Sequence, residues 1–202
     1  MELTDRAAVD EVLAGKHESF RVLVDRHGRK VFGLAYRMTG NEQDADEVVQ
    51  ETFLRSFKRL SSFESRSSFS TWLYRIASNC ALDLLAKRKQ DKLHLVENER
   101  PEEDGNREER ALEYAAPDPD PERMLLSSEL RDRVAKAMQR LTAVERTAFV
   151  LRHFEGQSIS EIGAVLKVKD EAVKNTIFRA VKKMRGELEP FTAAGALKGG
   201  LR

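Results

Sequence analysis

Residues 157–185 read QSISEIGAVLKVKDEAVKNTIFRAVKKMR, and this stretch decides the fold of the second half of the chain. Ser158 and Glu161 form the Ser-x-x-Glu capping-box pattern that begins a helix. Apolar residues then recur at helical spacing, first as Ile162, Val165 and Leu166 and, after a short turn, as Val173, Ile177, Ala180, Val181 and Met184. Asp170 can cap the second of these helices. The pattern predicts a helix-turn-helix.

The second helix of this pair carries polar and cationic residues beside its apolar stripe. These residues are Lys174, Asn175, Thr176, Arg179, Lys182 and Lys183. Such a helix suits the major groove of DNA, where amide and guanidinium groups meet base edges and lysines meet phosphates. We expect Lys182 and Lys183 to contact phosphates and the other four to lie nearer the bases. The alternative is a plain three- or four-helix domain whose basic face is only solvated.

Charge is sorted along the 202-residue chain, although the net charge is only +1. Residues 90–122 hold 12 acidic and 4 basic residues, a net charge of −8, so the remainder carries +9. The Asp-Pro-Asp-Pro composition of residues 118–121 predicts a stiff, extended segment. The sequence therefore predicts two modules that bind polyanions, joined by a tether that repels them.

Helical spacing without strand-like alternation predicts an all-α protein of two small domains, the second a helix-turn-helix domain. The expected segments are a helical domain at residues 1–89, a flexible acidic linker at 90–122, a second helical domain at 123–189 and a flexible tail at 190–202. In the first domain we expect one helix near residues 43–60 and another near 70–88, separated by a Ser-rich loop.

Several classes of function are disfavoured. Cys80 is the single cysteine, so no internal disulfide can form, and the four histidines are dispersed without metal-ligand spacing. We expect no catalytic residues, no metal and no cofactor. The sequence has no apolar run of about 18 residues, and its first residues do not resemble a signal peptide. We therefore expect no membrane insertion and a cytoplasmic location.

Two surfaces of the first domain are candidates for binding. Beside the Ser-rich loop, the helix carries Trp72, Tyr74, Arg75 and Asn79. Aromatic and cationic residues together suit single-stranded nucleic acid, because bases stack on rings and cations follow the backbone. We expect the last three of these residues to be exposed, while Trp72 could equally belong to the core.

The other candidate surface is acidic and lies near the start of the preceding helix. It comprises Asp44, Asp46, Glu47, Gln50 and Glu51. Acidic residues there stabilise the helix dipole, which is sufficient structural reason for them. A docking surface for a partner protein is the functional alternative.

Four stretches resemble one family. They are residues 44–57 (DADEVVQETFLRSF), 69–79 (FSTWLYRIASN), 151–163 (LRHFEGQSISEIG) and 173–180 (VKNTIFRA). Together they resemble bacterial RNA polymerase sigma factors of the extracytoplasmic-function group, over roughly residues 10–89 and 123–187. Glu64-Ser65-Arg66-Ser67 and Lys174-Asn175-Thr176 depart from the pattern common in that group, so its base preferences do not transfer directly.

The resemblance implies roles for these surfaces. The first domain would bind the promoter −10 element and help to open it, with a non-template base flipped into a pocket formed by the loop and Asn79. The loop residues in question are Glu64, Ser65, Arg66 and Ser67. Asp46, Glu47, Gln50 and Glu51 would contact the clamp of the polymerase. The second domain would read the −35 element and rest on the polymerase flap, while the linker would thread towards the RNA exit path.

The implied partners are core RNA polymerase, promoter DNA as duplex and as melted non-template strand, and an anti-sigma factor. The main alternative is a conventional helix-turn-helix regulator that binds duplex DNA without polymerase. A helical adaptor that binds acidic proteins belongs to another class. A nucleic-acid-processing enzyme is the most remote.

Overall fold

The computed structural model describes residues 3–65, 67–96, 130 and 132–198. Regular structure within these residues is entirely helical, which confirms the predicted all-α class. Arg66 and the linker from residue 97 to residue 122 lie outside the described residues. None of the described helices is long and apolar enough to cross a membrane.

Four helices form the first domain, with short 3₁₀ turns at His17–Ser19 and Leu60–Ser62. They are α1 (Asp5–Leu13), α2 (Phe20–Thr39), α3 (Glu42–Lys58) and α4 (Phe69–Val96). Local sequence sets their ends. Gly40 ends α2 in a left-handed conformation with φ of 72°, and the Asn41 side chain then accepts from the Asp44 amide to begin α3.

Helices α2, α3 and α4 pack on one another, and α1 packs on α2. Their fully buried apolar side chains form the core of the domain: Leu23, Val31, Leu34, Met38, Val48, Leu73, Ala77 and Ala81. Burying each of the larger ones contributes about 1.5–3 kcal/mol relative to exposure. Cys80 is buried in the same core, where burial raises the pKa of its thiol.

The second domain contains α5 (residues 132–139), α6 (Ala143–His153), α7 (Ile159–Leu166) and α8 (Asp170–Lys198). Capping boxes begin α6 at Thr142 and α7 at Ser158. Lys167 ends α7 in the left-handed conformation. Asp170 is the first residue of α8 rather than its cap, because the Val173 amide already donates to the Lys169 carbonyl.

Two helices extend beyond their predicted ends. Helix α4 reaches Val96, into the segment that we assigned to the linker, and no glycine or proline stands between residues 89 and 96 to stop it. Helix α8 reaches Lys198, into the segment assigned to a flexible tail. Three alanines at residues 193, 194 and 196 favour helix there.

The two domains contact each other. Helix α6 packs against α2 and α4, and α7 packs against α4. At the start of the second domain, Met138 and Leu141 lie in the core, whereas Leu130 is exposed.

The turn of the helix-turn-helix requires a glycine in α7. A Cβ atom on Gly163 would lie 2.9 Å from the carbonyl oxygen of Val168, which is backbone and cannot move aside. Gly186, in the middle of α8, has open space around the equivalent position. We expect Gly163→Ala to be less stable to urea than Gly186→Ala by about 1–3 kcal/mol, the usual cost of overpacking. Equal stabilities would contradict this account of the turn.

Candidate nucleic-acid and polymerase surfaces

Five of the six residues predicted to read DNA are exposed, and four of them have no side-chain partner outside α8 among the described residues. Lys174, Asn175, Arg179 and Lys182 are exposed, while Val173, Ala180 and Met184 are buried on the opposite side. Lys174 Nζ lies 3.6 Å from Glu171 Oε2, a surface pair that a phosphate can displace because exposed ion pairs are weak. This face can place amide and cationic groups in a major groove.

Thr176 was expected near base edges, and its position is different. It is only 5% exposed, and its hydroxyl donates to the Ala172 carbonyl at 2.8 Å. Thr176 lies three residues after Val173 and four before Ala180, so the helical repeat places it on the buried stripe. The prediction that it faces DNA was wrong.

Lys183 was expected to contact phosphate; it is exposed, and it also forms an ion pair within the domain. Its Nζ donates to Glu145 Oε2 at 2.7 Å, and this carboxylate also closes the capping box of α6. Burial acts to raise the pKa of Glu145, but the hydrogen bonds from Lys183 and Thr142 outweigh it, and the net pKa is lowered. Lys183 therefore ties α8 to α6.

Phe178 is a further candidate for DNA contact that was not predicted from the sequence. This side chain is 69% exposed, the largest exposed fraction among the large hydrophobic residues of the described chain. It lies one helical turn after Lys174 and one before Lys182, in the middle of the face that was predicted to read DNA. The sequence does contain a signal for this exposure, because Phe178 is an aromatic residue that lies off the apolar stripe of α8 and between two lysines. Apolar side chains in a major groove contact the thymine methyl group.

Asn79 lines a small cavity between the end of α3 and the middle of α4. The cavity has a volume of about 150 Å³ and is lined by Arg55, Arg59, Ser62, Trp72, Arg75, Ile76 and Asn79. The Asn79 Nδ2 group donates to the Arg75 carbonyl at 2.9 Å, which leaves the amide oxygen as an acceptor. Three guanidinium groups, an indole ring and an amide can together hold a base and its phosphate.

The described loop residues that were predicted to join Asn79, which are Glu64, Ser65 and Ser67, do not line this cavity. Ser65 and Ser67 line a separate cavity of about 620 Å³ that lies against the start of α1, and Glu64 lines neither. Rings of Phe63, Phe69 and Trp72 pack together between them, with centroids 5.4–5.6 Å apart. The loop and Asn79 were expected to form one pocket, and this arrangement of the loop contradicts that expectation. Trp72 is half-buried in the cluster.

Tyr74 was expected to be exposed, and it is 7% exposed. The second domain covers it, and its hydroxyl hydrogen-bonds to Glu155. Burial, together with the nearby Glu155 carboxylate, raises the pKa of Tyr74 to about 12. Spacing within α4 placed Tyr74 off the inner stripe but could not reveal that a second domain packs there.

The polymerase-binding residues that we predicted lie along α3. Asp46, Glu47 and Gln50 are exposed, and Glu51 is held by Arg55 Nε at 2.5 Å. A groove of about 280 Å³ runs between α3 and α4 beside Glu47, Gln50 and Glu51, with Val48, Leu54 and Leu84 among its apolar lining. This groove combines an apolar floor with charged edges.

Asp44 belongs to the structural part of the acidic stretch. It is buried, it pairs with Arg88 of α4, and burial raises the pKa of its carboxyl despite that partner. No group of three or more histidine, cysteine, aspartate or glutamate residues in the described chain is arranged to hold a metal ion.

Comparison with known proteins identifies the family. Sigma-70 region 2 matches residues 23–91, and Sigma-70 region 4 matches residues 131–184. The chain is 31% identical over 188 residues to the ECF RNA polymerase sigma factor SigW of Bacillus subtilis, which spans 93% of this chain and 98% of SigW. The chain belongs to the ECF sigma-factor family. It is also 34% identical to the ECF sigma-E factor of Escherichia coli, over 94% of this chain and 97% of that relative.

Two solved structures have a similar fold. CnrH, solved with the cytosolic domain of CnrY, matches 92% of this chain and 97% of its own at 27% identity, with a TM-score of 0.60. The sigma factor RpoE of Bartonella quintana, solved with the anti-sigma factor NepR, matches 85% of this chain with a TM-score of 0.65. Its 19% identity supports the fold alone.

The different environments of Lys182 and Lys183 predict different effects of mutation. Lys183→Ala should lower the free energy of unfolding by about 1–2 kcal/mol, because it removes the cationic partner of a buried carboxylate. Lys182→Ala should leave stability unchanged and weaken DNA binding. Because the folded-state pKa of Glu145 is lowered, its contribution is present above the ordinary carboxyl pKa and is lost as pH falls through the folded value.

Urea unfolding at neutral pH and at about pH 3 measures the stability loss of Lys183→Ala and its pH dependence. The difference in unfolding free energy between wild type and Lys183→Ala should shrink in acid. A difference that is the same at both pH values would show that the Lys183–Glu145 pair does not cause it.

Proposed function

We propose that this sigma factor recruits core RNA polymerase to promoters through two separate DNA-binding surfaces and a polymerase-binding groove. The observation that carries the proposal is the division of these surfaces. The exposed α8 face belongs to one domain, and the Asn79 cavity and the α3–α4 groove belong to the other. A regulator that binds only duplex DNA has no use for the surfaces of the first domain.

In this proposal α8 reads the −35 element. Lys174, Asn175 and Arg179 face base edges, Lys182 neutralises phosphate, and Phe178 packs against a thymine methyl group or a sugar. The family resemblance suggests the element, and the exposed mixture of amide, cationic and aromatic groups supports it.

The Asn79 cavity captures a base of the melted −10 strand. Extruding a base costs a few kcal/mol in lost stacking and pairing, and hydrogen bonds and stacking in a pocket recover that cost. Trp72 and Arg75 supply planar groups, and Asn79 supplies the polar edge. Glu64, Ser65, Arg66 and Ser67 are proposed to approach the strand when the loop changes shape on binding.

The α3–α4 groove receives the clamp of the polymerase. Asp46, Glu47, Gln50 and Glu51 form or flank its acidic edge, while Leu54 and Leu84 offer apolar contact. Arg55 donates to Glu51 and also to Asp83 Oδ2 at 2.9 Å, so it fixes the carboxylates on both sides. We propose that these bonds keep the groove ready for a helical partner.

Control by an anti-sigma factor is also proposed, because two relatives of the same fold were solved in complex with CnrY and NepR, the latter an anti-sigma factor. The protein is further proposed to catalyse no reaction itself and to act in the cytoplasm, where polymerase and promoters are.

Run-off transcription on genomic fragments with core polymerase tests the proposed function. Specific transcripts that require this protein support it, and their absence argues for the conventional regulator.

Substitutions on α8 should weaken recognition of the −35 element. Lys174→Ala or Arg179→Ala is expected to cost about 1–3 kcal/mol of binding if the contact is to a base edge. Lys136→Ala, an exposed lysine on α5, is the matched control. Transcription from the cognate promoter and binding to duplex promoter DNA are the measurements. Wild-type activity in both variants would rule out this assignment.

Removing the Asn79 amide should impair promoter opening more than polymerase binding. Asn79→Ala removes the polar edge of the cavity, so the flipped base loses a partner while the α3–α4 groove is unchanged. Permanganate footprinting should show reduced melting, whereas co-purification with polymerase should persist. Normal melting would exclude Asn79 from base capture.

A further inference from the structure

Helix α1 is attached to α2 through Asp5, the first residue of α1. Asp5 Oδ1 accepts a hydrogen bond from Arg26 Nη1 at 2.6 Å, and Asp5 Oδ2 lies 2.9 Å from His27 Nε2. Arg26 Nη2 also donates to the Leu3 carbonyl at 2.6 Å. An acidic residue in a first helical turn needs no partner to favour the helix dipole. Because both carboxylate oxygens of Asp5 bond to α2, this residue has a tertiary role as well.

The buried imidazole of His27 connects this attachment with aromatic residues at the start of α4. Among the described residues, Asp5 alone forms a hydrogen bond with the ring, since His27 Nδ1 has no partner there. The His27 ring lies 5.3 Å from the ring of Phe69, centroid to centroid. Phe69 packs in turn on Trp72 at 5.6 Å. The Asp5 carboxylate is therefore connected with the Trp72 indole through two ring contacts.

Both ends of the Ser-rich loop lie against this assembly. At the start of the loop, α1 contacts the 3₁₀ turn that contains Ser62, and Ser62 lines the Asn79 cavity. At the end of the loop, Phe69 begins α4, and Trp72 lines the same cavity. Between these ends, Ser65 has a φ of 56°, a left-handed conformation that residues other than glycine adopt only where their surroundings impose it. The position of α1 therefore bears on the loop and on two walls of the cavity.

This role of α1 is separate from direct contact with DNA. The match to Sigma-70 region 2 begins at residue 23, after α1 ends at Leu13. No residue of α1 lines the Asn79 cavity. A binding site holds its ligand in a productive geometry only when the residues behind it fix the side chains that form its walls.

We propose that Asp5 and His27 are positioning residues for capture of the −10 base, because they fix the ring cluster that sets the Trp72 indole in the wall of the Asn79 cavity. This inference rests on the proposed function, since it requires that the cavity receive the base. Neither residue touches the strand. Asp5 acts through His27, and His27 acts through Phe69.

The proposal implies a selective defect when the Asp5 carboxylate is removed. The His27 ring is then free to turn against Phe69, and Trp72 no longer keeps one position in the cavity wall. Stacking on the captured base weakens, and so does the preference for one base over another. The α3–α4 groove and the outer face of α8 keep their side chains, so binding to polymerase and to the −35 duplex is unchanged.

Fluorescence of the full-length protein tests the connection between Asp5 and the ring cluster. Trp72 is the only tryptophan of the chain, so its emission reports on the cluster without a label. Asp5→Ala should shift the emission to longer wavelength and increase quenching by acrylamide, because water reaches the indole more easily. Asp10→Ala is the matched control, because Asp10 is an exposed aspartate on the same helix and its removal changes the net charge equally.

A double-mutant cycle tests the route through His27. His27→Phe keeps an aromatic ring against Phe69 but removes the hydrogen bond to Asp5. Asp5→Ala already removes that bond, so the double variant should have the emission of Asp5→Ala alone. Effects that add would show that the two residues act separately and would contradict the proposed route.

Transcription by the complex with core polymerase tests the effect on base capture. The two templates are a promoter identified by run-off transcription and the same promoter with one base of its −10 element changed. The ratio of their transcripts is independent of the amount of active protein, so a loss of stability alone leaves it unchanged. Asp5→Ala should lower this ratio about 3- to 10-fold, while Asp10→Ala keeps the wild-type value. Co-elution with polymerase should persist in both variants.

Unchanged Trp72 emission in Asp5→Ala would overturn the proposal, and so would altered emission with a wild-type transcript ratio. If Asp5→Ala does not retain its helical circular dichroism, Asp5→Asn, which keeps one acceptor oxygen, decides by the same criteria. If the wild-type protein gives no specific transcripts, the proposed function fails whatever the fluorescence shows. If it does give them and Asp5→Ala behaves as Asp10→Ala does, only the positioning role fails.

Discussion

The arrangement of the two domains depends on the half-buried guanidinium of Arg146. Its Nε donates to the Met138 carbonyl at 2.9 Å, its Nη2 to the Leu141 carbonyl at 3.5 Å and its Nη1 to the Met38 carbonyl at 3.0 Å. Met38 lies in the last turn of α2, where helix carbonyls have no partner within the helix. The Arg146 guanidinium thus donates hydrogen bonds to carbonyl groups at the ends of helices in both domains. Burial lowers its pKa, so the charge is tolerated only with these acceptors in place.

This constraint explains why the surfaces of the protein cannot be considered one domain at a time. The same packing that satisfies Arg146 brings the turn after α6 onto α4 and buries Tyr74. The exposed face of α8 and the α3–α4 groove are left accessible. Each is a modest surface, and joining them in one chain raises the effective concentration of each for its target once the other is bound.

Local features of the fold could be predicted from the sequence. Both capping boxes, the glycine that ends α2 and the buried stripe of α8 depend on residues within a few positions of each other. The ends predicted for α4 and α8 came too early, because those limits rested on composition alone. Thr176 was misassigned although the information was local, since its spacing from Val173 and Ala180 fits the buried stripe.

Other features of the candidate sites depend on contacts that sequence spacing does not contain. Lys183 and Glu145 are 38 positions apart, and Tyr74 meets Glu155 across the boundary between the domains. The separation of the Ser-rich loop from Asn79 depends on how three aromatic rings pack. Phe178 was overlooked because an aromatic residue in a helix is usually assigned to a core, and only its exposure reveals otherwise.

The central claim is that this chain works as a subunit of the transcription machine. Size-exclusion chromatography of the purified protein with core RNA polymerase, in the absence of DNA, tests it most directly. The account predicts a one-to-one complex that Gln50→Ala combined with Glu47→Ala weakens. A protein that elutes apart from polymerase and yet shifts promoter duplex by itself would contradict it.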